Sequence, residues 1–252
     1  MTRLPFRPAI VRTLCAALAL FAALTPALAG AQDKKAKKKP PPAQVYVLGN
    51  ILPVGAVNDQ FAHGFSQQLS GGVSVGANFP VLGQRLLLVW QYYDIAYQHD
   101  AGEVANIGGG SHYVPAFVNH QYTLEERGGV AIPSTPLYVG LAVYYHPNLA
   151  GLPVLVGGGI GLEKPPDTQR TQSVFGRLYY YPYVLNEFPV DNLGEQYSYL
   201  RYEIGYAHTL GRIGKARGLV TIGVAGDHAT AIVNAPTNVN ITSLQLGLGF
   251  GF

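Results

Sequence analysis

From residue 43 onward, bulky apolar residues recur at every second position, the period of a β-strand with two unlike faces. The last segment is the clearest. Leu244, Leu246, Leu248, Phe250 and Phe252 share one face, and Ser243, Gln245, Gly247, Gly249 and Gly251 the other. Val73, Val75, Ala77 and Phe79 likewise oppose Ser70, Gly72, Ser74, Gly76 and Asn78. Leu200, Tyr202, Ile204 and Tyr206 alternate with Arg201, Glu203, Gly205 and Ala207, and Leu137, Val139, Leu141 and Val143 with Tyr138, Gly140, Ala142 and Tyr144. The pattern predicts strands over 43–57, 67–80, 84–98, 113–131, 137–147, 152–163, 173–185, 197–210, 216–228 and 241–252.

Connections near 80–83, 133–136, 165–167 and 211–214 are short and rich in Pro or Gly, and they alternate with mostly longer ones. Alternating short turns and long loops, with an even strand number, characterise transmembrane barrels. The expectation is therefore an all-β chain: a closed antiparallel transmembrane β-barrel of ten strands, both ends on the short-turn side. Dropping 43–57 and 113–131 gives an eight-stranded alternative, but with a loop longer than compact folds favour.

Composition decides which face is wet. Only 12% of the chain is Asp, Glu, Lys or Arg, about half of what a soluble surface carries. The second face is mainly Gly, Ala, Ser and Asn, which suits a crowded lumen, with Leu, Val and Phe toward lipid; a soluble β-sandwich is the competing arrangement. Charge sorts the same way. Arg85, Lys164, Arg170, Arg212, Lys215 and Arg217 lie at or near short turns, while 58–66, 99–112, 186–196 and 229–240 hold no Lys or Arg, and the first three of these carry acids. Clusters of tyrosine near strand ends, with Phe79, Tyr138, Phe175, Phe250 and Phe252 at the opposite rim, read as interfacial girdles. Two places fit poorly. Leu86 to Trp90 is continuously apolar, and Asp94 beside Tyr92 implies a register shift or bulge. Glu125 and Glu126 are adjacent, so one of them faces lipid unless a bulge intervenes or it lies above the hydrocarbon.

Residues 1–29 read as a secretory signal: Arg3, Arg7 and Arg12, an apolar run over 14–24, and small residues before a cleavage point after Ala29 or Ala31. The single cysteine, Cys15, falls inside it. Residues 30–42 carry Lys34, Lys35, Lys37, Lys38 and Lys39 and end in three prolines, a disordered tail suited to contact with anionic cell-wall or membrane surfaces, or simply to staying solvated. Over 43–252, nine Lys and Arg stand against thirteen Asp and Glu, so 9 − 13 = −4. That balance argues against nucleic acid as a partner.

The alternating stretch 241–252, closing on phenylalanine, resembles the terminal strand that bacterial outer-membrane β-barrel proteins present to their assembly machinery. The resemblance implies Phe250 and Phe252 as an assembly signal, with lipid and the barrel-assembly machinery as partners in the cell outer membrane. It implies no activity, because barrels of this class host many functions.

Candidate chemistry is sparse. Asp227-His228 and His99-Asp100 resemble the rim residues of omptin-like proteases, yet neighbours on a strand point to opposite faces and cannot form a dyad. Asn119-His120 resembles half of an outer-wall lipase site but has no serine beside it. Glycine runs at 108–110 and 157–161 lack the strand-to-helix setting of a phosphate loop; the second reads as room for large lumen neighbours. The acidic loops could draw divalent cations, although a solvated surface is the simpler reading. Arg201 and Glu203 share the inward face of one strand, with Arg177 inward on the next, and are expected to form an ion-pair network in the lumen. No catalytic residue, metal site or cofactor is expected. The leading expectation is a structural, anchoring or surface-interaction role; the alternative is a narrow channel or carrier for small solutes, and a rim-sited hydrolase comes third.

Overall fold

A computed structural model of the chain describes residues 42–59, 65–99, 102–105, 111–114, 117–146, 155–186, 195–233 and 238–252. The expected signal, the five lysines of the tail and Asp100 lie outside these residues. In chain order the strands are β1 (Gln44–Leu52), β2 (Gly55–Asp59), β3 (Phe65–Gln67), β4 (Ser70–Val81), β5 (Gln84–His99), β6 (Gly102–Ala105) and β7 (Ser111–Val114). They continue as β8 (Phe117–Ala131), β9 (Tyr138–His146), β10 (Leu155–Lys164), β11 (Gln172–Asn186), β12 (Glu195–Ile213), β13 (Ala216–Val233) and β14 (Val239–Gly251).

Each strand pairs antiparallel with its neighbour in the order β1, β4, β5, β8, β9, β10, β11, β12, β13, β14, and β14 returns to β1, so ten strands close a barrel. Past Leu52 the first strand breaks at Pro53 and resumes as β2, still paired with β14. The short β3 extends the β5 edge, and β6 with β7 forms a separate two-stranded ribbon within the stretch expected to be a long loop. Tight turns close the short-turn end. Leu82 and Gly83 both adopt positive φ (48° and 83°), the geometry of a two-residue hairpin whose twist matches the flanking strands.

Period two becomes inside and outside. On β14 the relative exposures of Ser243 and Gln245 are 3% and 2%, against 39% and 67% for Leu246 and Leu248. Val73, Val75, Leu178, Ile204, Ile222 and Leu244 are exposed too, a wall that only hydrocarbon would solvate favourably. A soluble barrel or sandwich would show the opposite.

Two expectations need correction. The strand through Asp94 has no bulge: β5 pairs in continuous register with β4 and β8, turning Leu87, Val89, Gln91, Tyr93 and Ile95 inward and leaving Tyr92 and Asp94 outside. Its inward face is therefore largely apolar, which is why alternation was invisible over 86–90. Many of the tyrosines assigned to girdles fill the lumen instead. Tyr93, Tyr138, Tyr144, Tyr179, Tyr181 and Tyr199 are buried, as is Phe175. Glycine makes the room for them. A Cβ on Gly161 would lie 2.7 Å from the Tyr179 ring, and one on Gly159 would lie 2.7 Å from that of Tyr181. The Pro165-Pro166-Asp167 turn falls where expected, in the seven-residue connection between β10 and β11. Residues 165–171 cross the short-turn mouth: Thr168 Oγ1 donates to the Phe252 carbonyl (3.4 Å), and Arg217 donates to the Gln169 carbonyl (2.7 Å).

Candidate functional site: a charged septum in the lumen

Inward positions at mid-barrel carry ionisable groups from five strands. β8 supplies Glu125 and Arg127, β10 Glu163, β11 Arg177, β12 Arg201 and Glu203, and β13 Asp227. Cross-strand register brings several of them side by side: Glu163 pairs with Arg177, Arg177 with Glu203, and Arg201 with Asp227. All seven are buried. A buried charge is tolerated only when paired and hydrogen-bonded, and each of these is.

Arg127 holds Glu163 through two bonds (2.8 and 3.1 Å) and also donates to Glu125 (2.9 Å) and to Gln91 (2.7 Å). Arg201 grips Asp227 in the same forked manner, at 2.6 and 3.1 Å. Arg177 donates to Glu203 (2.9 Å) and to Glu125. Glu125 reaches across the lumen to become the common acceptor. It takes bonds from Arg127, Arg177, the Tyr181 hydroxyl and, more loosely at 3.5 Å, Arg201. Ring faces complete the packing, with the Arg201 guanidinium 4.8 Å from the Tyr144 centroid and that of Arg127 5.8 Å from Tyr179.

The network divides the interior. Below it, toward the short turns, a small cavity of about 20 Å³ is lined by Leu48, Ser74, Gln91, Lys164, Phe175 and Gln245 among others. Above it, a second small cavity of about 20 Å³ is lined by Leu52, Tyr93, Ile95, Arg201, Asp227 and Ile241 among others. Arg177 lines both. Arg127 borders the lower cavity and Arg201 the upper one.

Arg177, Arg201 and Glu203, singled out in the sequence, all lie in this cluster. Sequence reasoning missed Glu125 as its hub, together with Arg127, Glu163 and Asp227. Asp227, expected at the rim beside His228, faces the lumen; His228 points outward, where its ring meets the Asn240 side chain. The two do face opposite ways. His120 sits on the outer wall at 2.9 Å from Asp94, and the side chains of His99 and Asn119 fall outside the described residues.

No family model matches this chain, and no curated protein does. Two crystal structures of Pseudomonas aeruginosa proteins are similar to it at a low level. OccK5 (OpdH) is 7% identical with a TM-score of 0.16, covering 84% of this chain and 98% of its own. OccK3 (OpdO) is 10% identical with a TM-score of 0.14, covering 83% and 95%. Likeness at this level carries no argument.

Proposed function

We propose that the protein is an integral outer-membrane β-barrel serving as a narrow conduit for ions or small charged solutes, held shut by the septum. The observation that carries this reading is the shared position of Arg177 between two small cavities of mixed lining. Apolar side chains would fill a barrel interior at least as stably as buried ion pairs do. A charge cluster set between two cavities makes more sense as a barrier that exchanges partners than as filler. Arg177 can leave Glu125 for Glu203 alone, and such a swap opens a polar path without unfolding a strand. The overlay of 165–171 on the short-turn mouth supplies a second constriction.

A sealed scaffold is the second reading, favoured by the completeness of the pairing. Planar-bilayer recording of refolded protein separates the two. A conduit should show infrequent small steps in the wild type and several-fold more open time in Arg177→Ala. If both stay electrically silent while migrating as folded barrels on unboiled gels, the conduit reading falls. For a scaffold, Arg201→Ala should lower the temperature at which the unboiled form is lost and leave conductance unchanged. Export by an N-terminal signal, recognition of Phe250 and Phe252 by assembly machinery, and cell-wall contact through the tail lysines belong to the same proposal. The outward, exposed placement of both phenylalanines is compatible with that role.

A further inference from the structure

The outer wall holds one feature that lipid does not explain. Glu126 points outward from β8 and is exposed. It lies five residues above the short-turn end of β8, roughly 12 Å along the membrane normal for a tilted strand and so near the middle of a belt about 25 Å tall. Its neighbours are apolar on every side. Leu124 and Gly128 flank it on its own strand, and Trp90 and Val143 are its register partners on β5 and β9. The carboxylate has no hydrogen-bond or ion-pair partner among the described residues, unlike Asp94 higher on the wall, which is paired with His120. An unpaired acid in hydrocarbon is costly and marks a contact.

The groups beside it say which contact. Trp90, Tyr92, Tyr122 and His120 form a ladder of stacked rings along the outer wall at centroid spacings of 6.5, 6.5 and 6.1 Å. The Trp90 indole N–H and the Tyr92 and Tyr122 hydroxyls donate to nothing among the described residues, so acceptor and donors lie unsatisfied on two adjacent strands. Such a patch is self-complementary. A two-fold axis along the membrane normal, passing between β5 and β8, sets each Glu126 against Trp90 of the second copy and the reverse. Gly128 adds no side chain and lets the walls approach closely.

We infer that the β5–β8 face is a dimer interface between two copies of this chain, with Glu126 and Trp90 as its reciprocal polar contact. The inference rests on the outer wall facing lipid and is independent of what the lumen conducts. Its test is sedimentation equilibrium of the refolded full chain in density-matched micelles, on protein first shown to migrate faster unboiled than boiled. Absence of that shift would indict the membrane-barrel reading rather than the interface.

The wild type should sediment as a dimer. Glu126→Leu should weaken association at least tenfold while raising the temperature at which the folded form is lost, because it removes a charge from the lipid-facing wall. Gly128→Trp, a steric wedge, should also give monomers, whereas Ile204→Trp on the opposite wall should leave the dimer intact. A monomeric wild type overturns the inference. So does a dimer that survives both Glu126→Leu and Gly128→Trp, or one that Ile204→Trp disrupts equally.

Discussion

Glu125→Ala is expected to lower the stability of the folded barrel by about 3–5 kcal/mol, the range for breaking a buried ion pair from one side. Glu125 accepts from three guanidiniums and the Tyr181 hydroxyl and is only 1% exposed. Its loss leaves Arg127 with Glu163, Arg177 with Glu203 and Arg201 with Asp227, each positive head having lost an acceptor it cannot replace with water. The three heads then repel one another around an emptied centre. The excess over a simple cavity effect is therefore electrostatic, and Glu125→Gln, which keeps the shape and one acceptor oxygen, should recover part of it. Urea titration in lipid vesicles, followed by the fluorescence of the lone tryptophan, Trp90, measures the difference directly. A loss of less than about 1 kcal/mol would place Glu125 at the level of an exposed pair and remove it as the hub. In the bilayer the same variant should be the most open of the lumen series, because Glu125 is the group that ties the β8 side of the septum to the β11–β12 side.

The barrel was legible because nearly every strand contrasts its two faces, and a closed sheet in lipid inverts the usual sense of that contrast. Where contrast failed, legibility failed. β5 turns Leu87 and Val89 inward, so both of its faces are apolar over that stretch and parity had to come from paired neighbours. The tyrosines misled for a related reason. An aromatic ring fits an interface girdle and a lumen equally well by composition, and only parity separates Tyr144, inward, from Tyr145, outward. Parity would also have exposed the hub. Thr123, Glu125, Arg127 and Gly129 fall on one face of β8, opposite Leu124, Glu126, Gly128 and Val130. Glu125 and Arg127 are opposite charges two apart, as Arg201 and Glu203 are, and could have been read as lumen-facing. Which acid meets which base was not readable, because it depends on cross-strand register. Between β11 and β12 register depends in turn on the bulge between Tyr181 and Val184, which leaves no mark in the period-two pattern.

Register at the seam makes the second large effect. Closure depends on β14 meeting β1 with Gly249 opposite Leu48, tied at the end by Val45 and Phe252 exchanging backbone bonds of 3.2 and 2.8 Å. A Cβ on Gly249 would stand 1.8 Å from the Val47 carbonyl oxygen and 2.9 Å from the Leu48 Cα. These are backbone atoms of the partner strand, so no rotamer change relieves the clash and the seam itself must move. Overpacking a well-fitted interior costs about 1–3 kcal/mol, occasionally more, and here the cost falls on the one pairing that converts an open sheet into a barrel. Gly249→Val should therefore lose most of the fast-migrating unboiled band and leave β1 and β14 as exposed edges, with aggregation as the visible consequence. Gly158→Val is the matched control: its side chain would meet nothing within 4 Å and should be neutral, since a β-branched residue suits a strand. If the two variants fold in equal yield, the seam is more pliable than this register allows, and the close approach of β1 to β14 is not what holds the barrel shut.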